Sequence, residues 1–242
     1  MGLFSTVLHI YKRNQAEIIT ELSNELRHNH SFSKLTRLDI SNSNYESFLD
    51  NEISSKNGAF YLITQPHGNW TTIIELNVNL DQSLYLYELV NSLSKRLDTY
   101  ALSFHLHDDD VLYYNFEKQG QSLDGYSSDF QYFETRPIDK DELISQRHTP
   151  EFFSGVLPAT KNTDSLNSIL NEGMWDAFDK NDLDEDGVPN DDDKYFVDEL
   201  DRFERIGRYL EIYSKKDYPF ANWRPNLPKL NLEDCCILRA ER

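Results

Sequence analysis

Cysteine is scarce in this chain: there are two, Cys235 and Cys236, and they are adjacent. Neighbours on a strand point to opposite faces, so they make a poor disulfide pair and a poor metal pair. They read as small hydrophobes in a last strand. Glycine is scarce as well, with nine residues, and none belongs to a phosphate-cradling loop. There is no G-x-S-x-G, no H-E-x-x-H and no zinc-type cysteine spacing, which removes the most legible nucleotide-binding, hydrolase and zinc-site readings. No apolar run approaches the ~18 residues of a membrane span. The opening segment, MGLFSTVLHIYKR, lacks a basic stretch ahead of its apolar one and lacks a small-residue cleavage site, so no secretory signal is expected. Gly2 with Thr6 fits a loose myristoylation pattern, though an ordinary first strand accounts for the same residues. Few cysteines and no export signal together point to a reducing cytoplasm.

Positive charge is the other shortage. Against 42 Asp and Glu stand 24 Lys and Arg, a net charge of −18. That sign disfavours nucleic acid phosphates and anionic membrane, and it favours basic proteins or cations as partners.

What the chain does have is large apolar side chains. Its 242 residues are 38% hydrophobic but include 14 Tyr, 14 Phe and 3 Trp, enough to bury a sizeable core and to exclude overall disorder. Residues 3–12 read as a strand rich in β-branched and aromatic types. Asn14 and Glu17 form a capping-box pair ahead of a helical stripe, Ile18, Ile19, Leu22 and Leu26. KLTRLDI (34–40) reads as a second strand and 44–55 as a short helix. AFYLIT (59–64) and WTTIIELNV (70–78) read as strands joined by a Pro-Gly turn. A helix marked by Leu84, Tyr87, Leu89, Val90, Leu93 and Leu97 then leads to three short strands at 100–107, 111–118 and 122–126. Consecutive hairpin signals argue for an α+β fold, a mainly antiparallel sheet with helices on one face. A helix-loop-helix and a final strand come after it. The expected organisation is a sheet domain over 1–130 and an irregular connection over 131–162. Residues 163–242 form a helix-loop-helix region with a C-terminal strand that can pack on the first domain. Its helices are expected over 164–180 and 194–213, the second with Phe196, Leu200, Phe203, Ile206, Leu210 and Tyr213 inward.

Between those helices the charge concentrates. Residues 176–201 hold twelve acidic residues against Lys180 and Lys194, a local charge of −10. Such crowding must be solvated, bind a cation or meet a basic partner. The spacing D-x-D-x-D-G-x-x-N-x-x-D favours a cation: Asp182, Asp184 and Asp186 alternate, Gly187 permits a sharp turn, and Asn190 and Asp193 complete the pattern. Hard cations take six to eight oxygens, and the Val188 carbonyl would occupy the seventh loop position. This segment resembles an EF-hand, and equally the calcium loops of dockerin and thrombospondin type-3 repeats. The resemblance implies calcium, or magnesium, held by Asp182, Asp184, Asp186, Val188, Asn190 and Asp193. It departs from the EF-hand at position eight, Pro189, and at position twelve, where Asp193 replaces a bidentate Glu. A solvated acidic linker is the alternative.

A second constellation lies on a strand. His105, His107 and Asp109 alternate and would share one face, with Phe104 and Leu106 on the other. H-x-H-x-D can hold a transition metal or do acid-base chemistry, and His67 can join if the hairpins are adjacent. A plain polar strand face explains the same residues.

The segments LSKRLDTY, SFHLHDDDVLYYNFEKQG, LDGY and a later QYF resemble a group of uncharacterised bacterial proteins over residues about 70–133. That resemblance implies a shared fold and carries no activity. The expected function is a non-enzymatic, acidic, cytoplasmic protein that binds a basic protein, as an immunity or antitoxin protein engages a nuclease. A structural divalent-cation loop accompanies that role. The alternative is a metal-dependent hydrolase using His105, His107 and Asp109.

Overall fold

The computed structural model describes residues 5–30, 32–38, 58–76, 86–107, 110–130, 140–145, 147–184, 189–190, 192–212, 220–221, 224–225 and 235–241. The expected helix at 44–55 lies outside the described residues. So do Asp108, Asp109, Asp186, Val188 and Tyr213.

Eight strands form one antiparallel sheet. In chain order they are β1 (Ser5–Tyr11), β2 (Lys34–Leu38), β3 (Ala59–Ile63), β4 (Trp70–Glu75), β5 (Tyr100–His107), β6 (Val111–Lys118), β7 (Gln121–Ser127) and β10 (Cys236–Glu241). Across the sheet the order is β2-β10-β3-β4-β1-β5-β6-β7. A separate two-stranded ribbon pairs β8 (Phe220–Ala221) with β9 (Arg224–Pro225). The final strand is thus not an appendage. It pairs with β2 on one side and β3 on the other.

Period two decides which face each side chain takes. On β1, Leu8 and Ile10 enter the core under α1 (Gln15–Asn29) and α2 (Leu86–Arg96), while Val7 and Tyr11 enter the opposite core. The two N-terminal helices share one face, as expected. The capping box on α1 is present: the Asn14 side chain accepts the Glu17 N–H at 3.0 Å, and the Glu17 carboxylate accepts the Asn14 N–H at 3.0 Å.

The other face is closed by the C-terminal half. It comprises α3 (Lys140–Ser145), a 3-10 turn over Pro150–Gly155, α4 (Thr163–Leu170), α5 (Met174–Asp179), α6 (Asp192–Tyr195) and α7 (Glu199–Tyr209). Phe153 of the 3-10 turn stacks on Phe116 at 4.2 Å between ring centres, and Phe203 of α7 meets Phe104 edge-on at 5.1 Å. Because both faces are covered, β3 is buried at every position.

Two helices expected from the sequence are each divided. The stretch 164–180 is α4 and α5, interrupted at Gly173, whose φ is +75°. A Cβ there would lie 3.2 Å from the Arg202 guanidinium, the Tyr195 carbonyl and the Val197 side chain, so the chain turns where only glycine fits. The stretch 194–213 is α6 and α7, because Asp198 caps a new helix by accepting the Asp201 N–H at 3.0 Å. Phe196, expected inward, falls in that break and is 75% exposed. Among the described residues, no helix is long and apolar enough to cross a membrane.

Candidate functional site

The acidic loop leaves α5 at Lys180 and Asn181, the latter in a left-handed conformation with φ of +53°. Its first acidic residue, Asp182, ties the two arms of the loop together. The Asp182 carbonyl accepts the Asn190 N–H at 3.1 Å, and its carboxylate accepts Asn190 Nδ2 at 3.2 Å. The same carboxylate accepts Lys194 Nζ at 2.5 Å and the Tyr195 hydroxyl at 2.7 Å. A Leu183–Pro189 bridge adds to this closure. Hydrogen bonds from Lys194, then Tyr195 and Asn190, hold the Asp182 carboxyl down at about 2. Asp182 and Asn190 therefore meet, while Asp184 is exposed. Asp193 falls within α6, and its side chain lies outside the described residues. The donors that are described, an ionised Asp182 and an amide oxygen on Asn190, are of the hard-oxygen kind that calcium or magnesium takes.

On β5 the alternation holds. Phe104 and Leu106 enter one core, and His105 and His107 lie on the other side with their rings 6.1 Å apart. His105 Nδ1 is 2.8 Å from Thr6 Oγ1. Burial, helped by His107, pushes its imidazole down to about 4. His67 does not join them. It is bridged to Trp70, which pairs with Tyr11 at one end of β1, whereas His105 pairs with Thr6 near the other. Five residues of strand separate the two ends, on the order of 16 Å.

A third place was not anticipated. A cavity of about 460 Å³ runs beside β7 and is lined by Ser122 to Ser127, with Phe130, Ser145, Arg147, Thr149 and Trp175 opposite. Asp124 enters its wall. The carboxylate accepts the Tyr114 hydroxyl at 2.6 Å and the Thr149 N–H at 2.8 Å, yet burial still raises its pKa. Arg147 is clamped by Asp179, 2.7 Å from each Nη, and lies over the Trp175 ring at 5.7 Å. The Trp175 indole N–H donates to the Ser127 carbonyl at 2.9 Å. Behind the cavity Arg202, with no exposure, donates to the Tyr126 hydroxyl and to the Glu172 carbonyl at 2.7 Å.

Two signals in the sequence could have pointed here. Asp is depleted within strands, so Asp124 two residues before Tyr126 is an unusual pairing on one face. Glu199 and Arg202 fall on the apolar stripe of α7 beside Phe203 and Ile206, where charge is out of place.

No protein-family model matches this chain, and comparison with curated proteins and with solved structures finds no match either. The functional reading therefore rests on the chain's own residues.

Proposed function

We propose that this protein is a non-enzymatic binding protein for a basic protein partner, in the manner of an immunity or antitoxin protein, with a divalent-cation loop over residues 182–193 as a structural element. The observation that carries the reading is the placement of charge. More than half of the net −18 falls in residues 176–201, and Asp184, Asp198 and Asp201 in that stretch are exposed together with Phe196. Concentrated negative charge steers a positive partner and sets its orientation. An exposed aromatic among the charges is the kind of anchor that carries interface energy.

The test is isothermal titration of the protein against a panel of basic nucleases at about 0.05 and 0.3 M salt, a range over which screening lengths change appreciably. A saturable complex that weakens at the higher salt is expected. Finding none across the panel at low salt would overturn the reading.

A second reading, metal-dependent hydrolysis at His105, His107 and Asp109, draws support from His105 and His107 sharing one face of β5 with their rings 6.1 Å apart. Zinc titration followed by histidine NMR tests it. Unmoved His105 and His107 resonances would exclude it.

A further inference from the structure

Asp124 lies on the outermost strand of the sheet, only 7% exposed. Its two oxygens receive hydrogen bonds from Tyr114 and Thr149, and these favour the ionised form. Among the described residues, no lysine, arginine or histidine forms an ion pair with it. The nearby guanidinium of Arg147 is engaged on both Nη atoms by Asp179, and its Nη2 also by Asn171 at 3.1 Å. Glu151 adds further negative potential. A buried charge is tolerated when it is both hydrogen-bonded and paired; among the described residues the pairing is missing, and a cavity opens beside it.

The walls of that cavity narrow the choice of cation. Phe130 and Trp175 meet edge-on at 5.1 Å and line it together with Tyr126. Aromatic faces attract organic cations and give nothing to a hydrated metal ion, which needs several oxygens. The rest of the wall is Ser145, Thr149, the Asp179-paired Arg147 over one face of Trp175, and the edge strand itself. Gly125 is exposed in its middle, and its own fold does not demand glycine there. A Cβ at that position would meet only Tyr114 O at 3.8 Å and Asn115 Oδ1 at 3.9 Å, ordinary contacts. A glycine that internal packing does not require leaves the strand backbone bare for the approach of another chain.

We infer that the cavity beside β7 receives a lysine or arginine side chain of a partner protein, with Asp124 as its counter-ion, Phe130 and Trp175 as apolar walls, and the bare backbone at Gly125 beside the incoming chain. The inference rests on the basic-partner reading above and names where one basic side chain is held.

The experiment is an NMR titration with the blocked peptide Gly-Ser-Arg-Ser-Gly and its citrulline counterpart, which keeps the shape and removes the charge. The arginine peptide is expected to bind roughly tenfold tighter and to shift the Trp175 indole and Asp124 amide signals. Asp124→Asn should reduce the arginine peptide to the citrulline level. Equal binding of the two peptides to the unaltered protein overturns the inference, whatever the variant does. A salt-sensitive nuclease complex unaffected by Asp124→Asn sinks it while leaving the basic-partner reading intact. Arginine-selective peptide binding with no nuclease bound sinks that broader reading alone.

Discussion

Glu199 and Arg202 sit one turn apart on α7, both withdrawn from solvent, with Arg202 Nη1 3.0 Å from Glu199 Oε1. Arg202 also holds the Tyr126 hydroxyl and the Glu172 carbonyl, so a single guanidinium ties α7 to the edge strand and to the turn before α5. The fit is incomplete, because Arg202 Nε has no hydrogen-bond partner among the described residues. Attraction within a buried pair does not always offset the loss of hydration.

The consequence is a pH dependence of unusual sign. Burial raises the Glu199 carboxyl from its ordinary 4.5 to about 7, although Arg202 opposes the shift. A carboxyl that holds its proton more tightly when folded favours the fold at low pH. Its contribution is lost as pH rises from about 4.5 to about 7, an effect on the order of 3 kcal/mol. Urea unfolding of Glu199→Gln at pH 5 and pH 8 should show stability rising more steeply with pH than in the unaltered protein between those values. Identical slopes would refute the assignment.

Three histidines pull the other way. Burial lowers His9 to about 3, and His105 and His148 to about 4, from an ordinary 6.5. Each binds a proton more readily when unfolded, so each stabilises the fold above pH 6.5 and loses that contribution as pH falls toward its folded value. Between pH 6.5 and pH 5 the three act against Glu199, and against Glu117 and Asp124, whose carboxyls burial also raises. His9, held by Thr72 Oγ1 at 2.9 Å, is the deepest of them. His9→Asn should cut the slope of stability against pH by up to about 1.4 kcal/mol per unit in that window. An unchanged slope would show that His9 titrates normally.

Most of the sheet was legible because alternation is a local signal. Phe104 and Leu106 against His105 and His107 fall on the faces that period two assigns. The Asn14–Glu17 cap was legible for the same reason. The helix breaks were not, because an apolar stripe can be counted through Gly173 and through 196–198 without noticing that the backbone turns there. The placement of His67 failed because strand neighbours do not say which end of the sheet a turn occupies. The cavity was beyond reach: residues 122–127, 147, 149 and 175 meet only after the C-terminal helices close the second face.

Gly173 gives a direct check on that closure. With φ of +75° and three heavy atoms 3.2 Å from where a Cβ would sit, Gly173→Ala combines backbone strain with displacement of Arg202. A loss of about 1–3 kcal/mol is expected, larger than the ~1 kcal/mol that left-handed strain alone brings. Thermal unfolding of this variant beside Gly68→Ala separates the two contributions. Gly68 has φ of +55° and one such contact, to the Glu211 carbonyl at 3.2 Å. Equal losses would mean that the contacts around Gly173 yield freely.

The last prediction concerns the positive charge that meets Asp182. In the structure it is Lys194, whose ammonium is raised in pKa chiefly by its hydrogen bond to that carboxylate. A calcium ion in the 182–193 loop would need the same oxygens, so ion and ammonium compete for Asp182. Calcium at about 10 mM should raise the melting temperature by a few degrees if the loop binds with the weak, roughly millimolar affinity of isolated sites. Asp184→Ala, at an exposed position, should abolish the rise. Lys194→Met removes the competitor and should move the midpoint of the calcium titration to lower concentration, even though the variant loses an ion pair without calcium. If Lys194→Met instead weakens the calcium response, the ammonium is holding the loop in its binding shape. If neither variant nor parent responds, the carboxylates of this loop are satisfied by lysine and water alone.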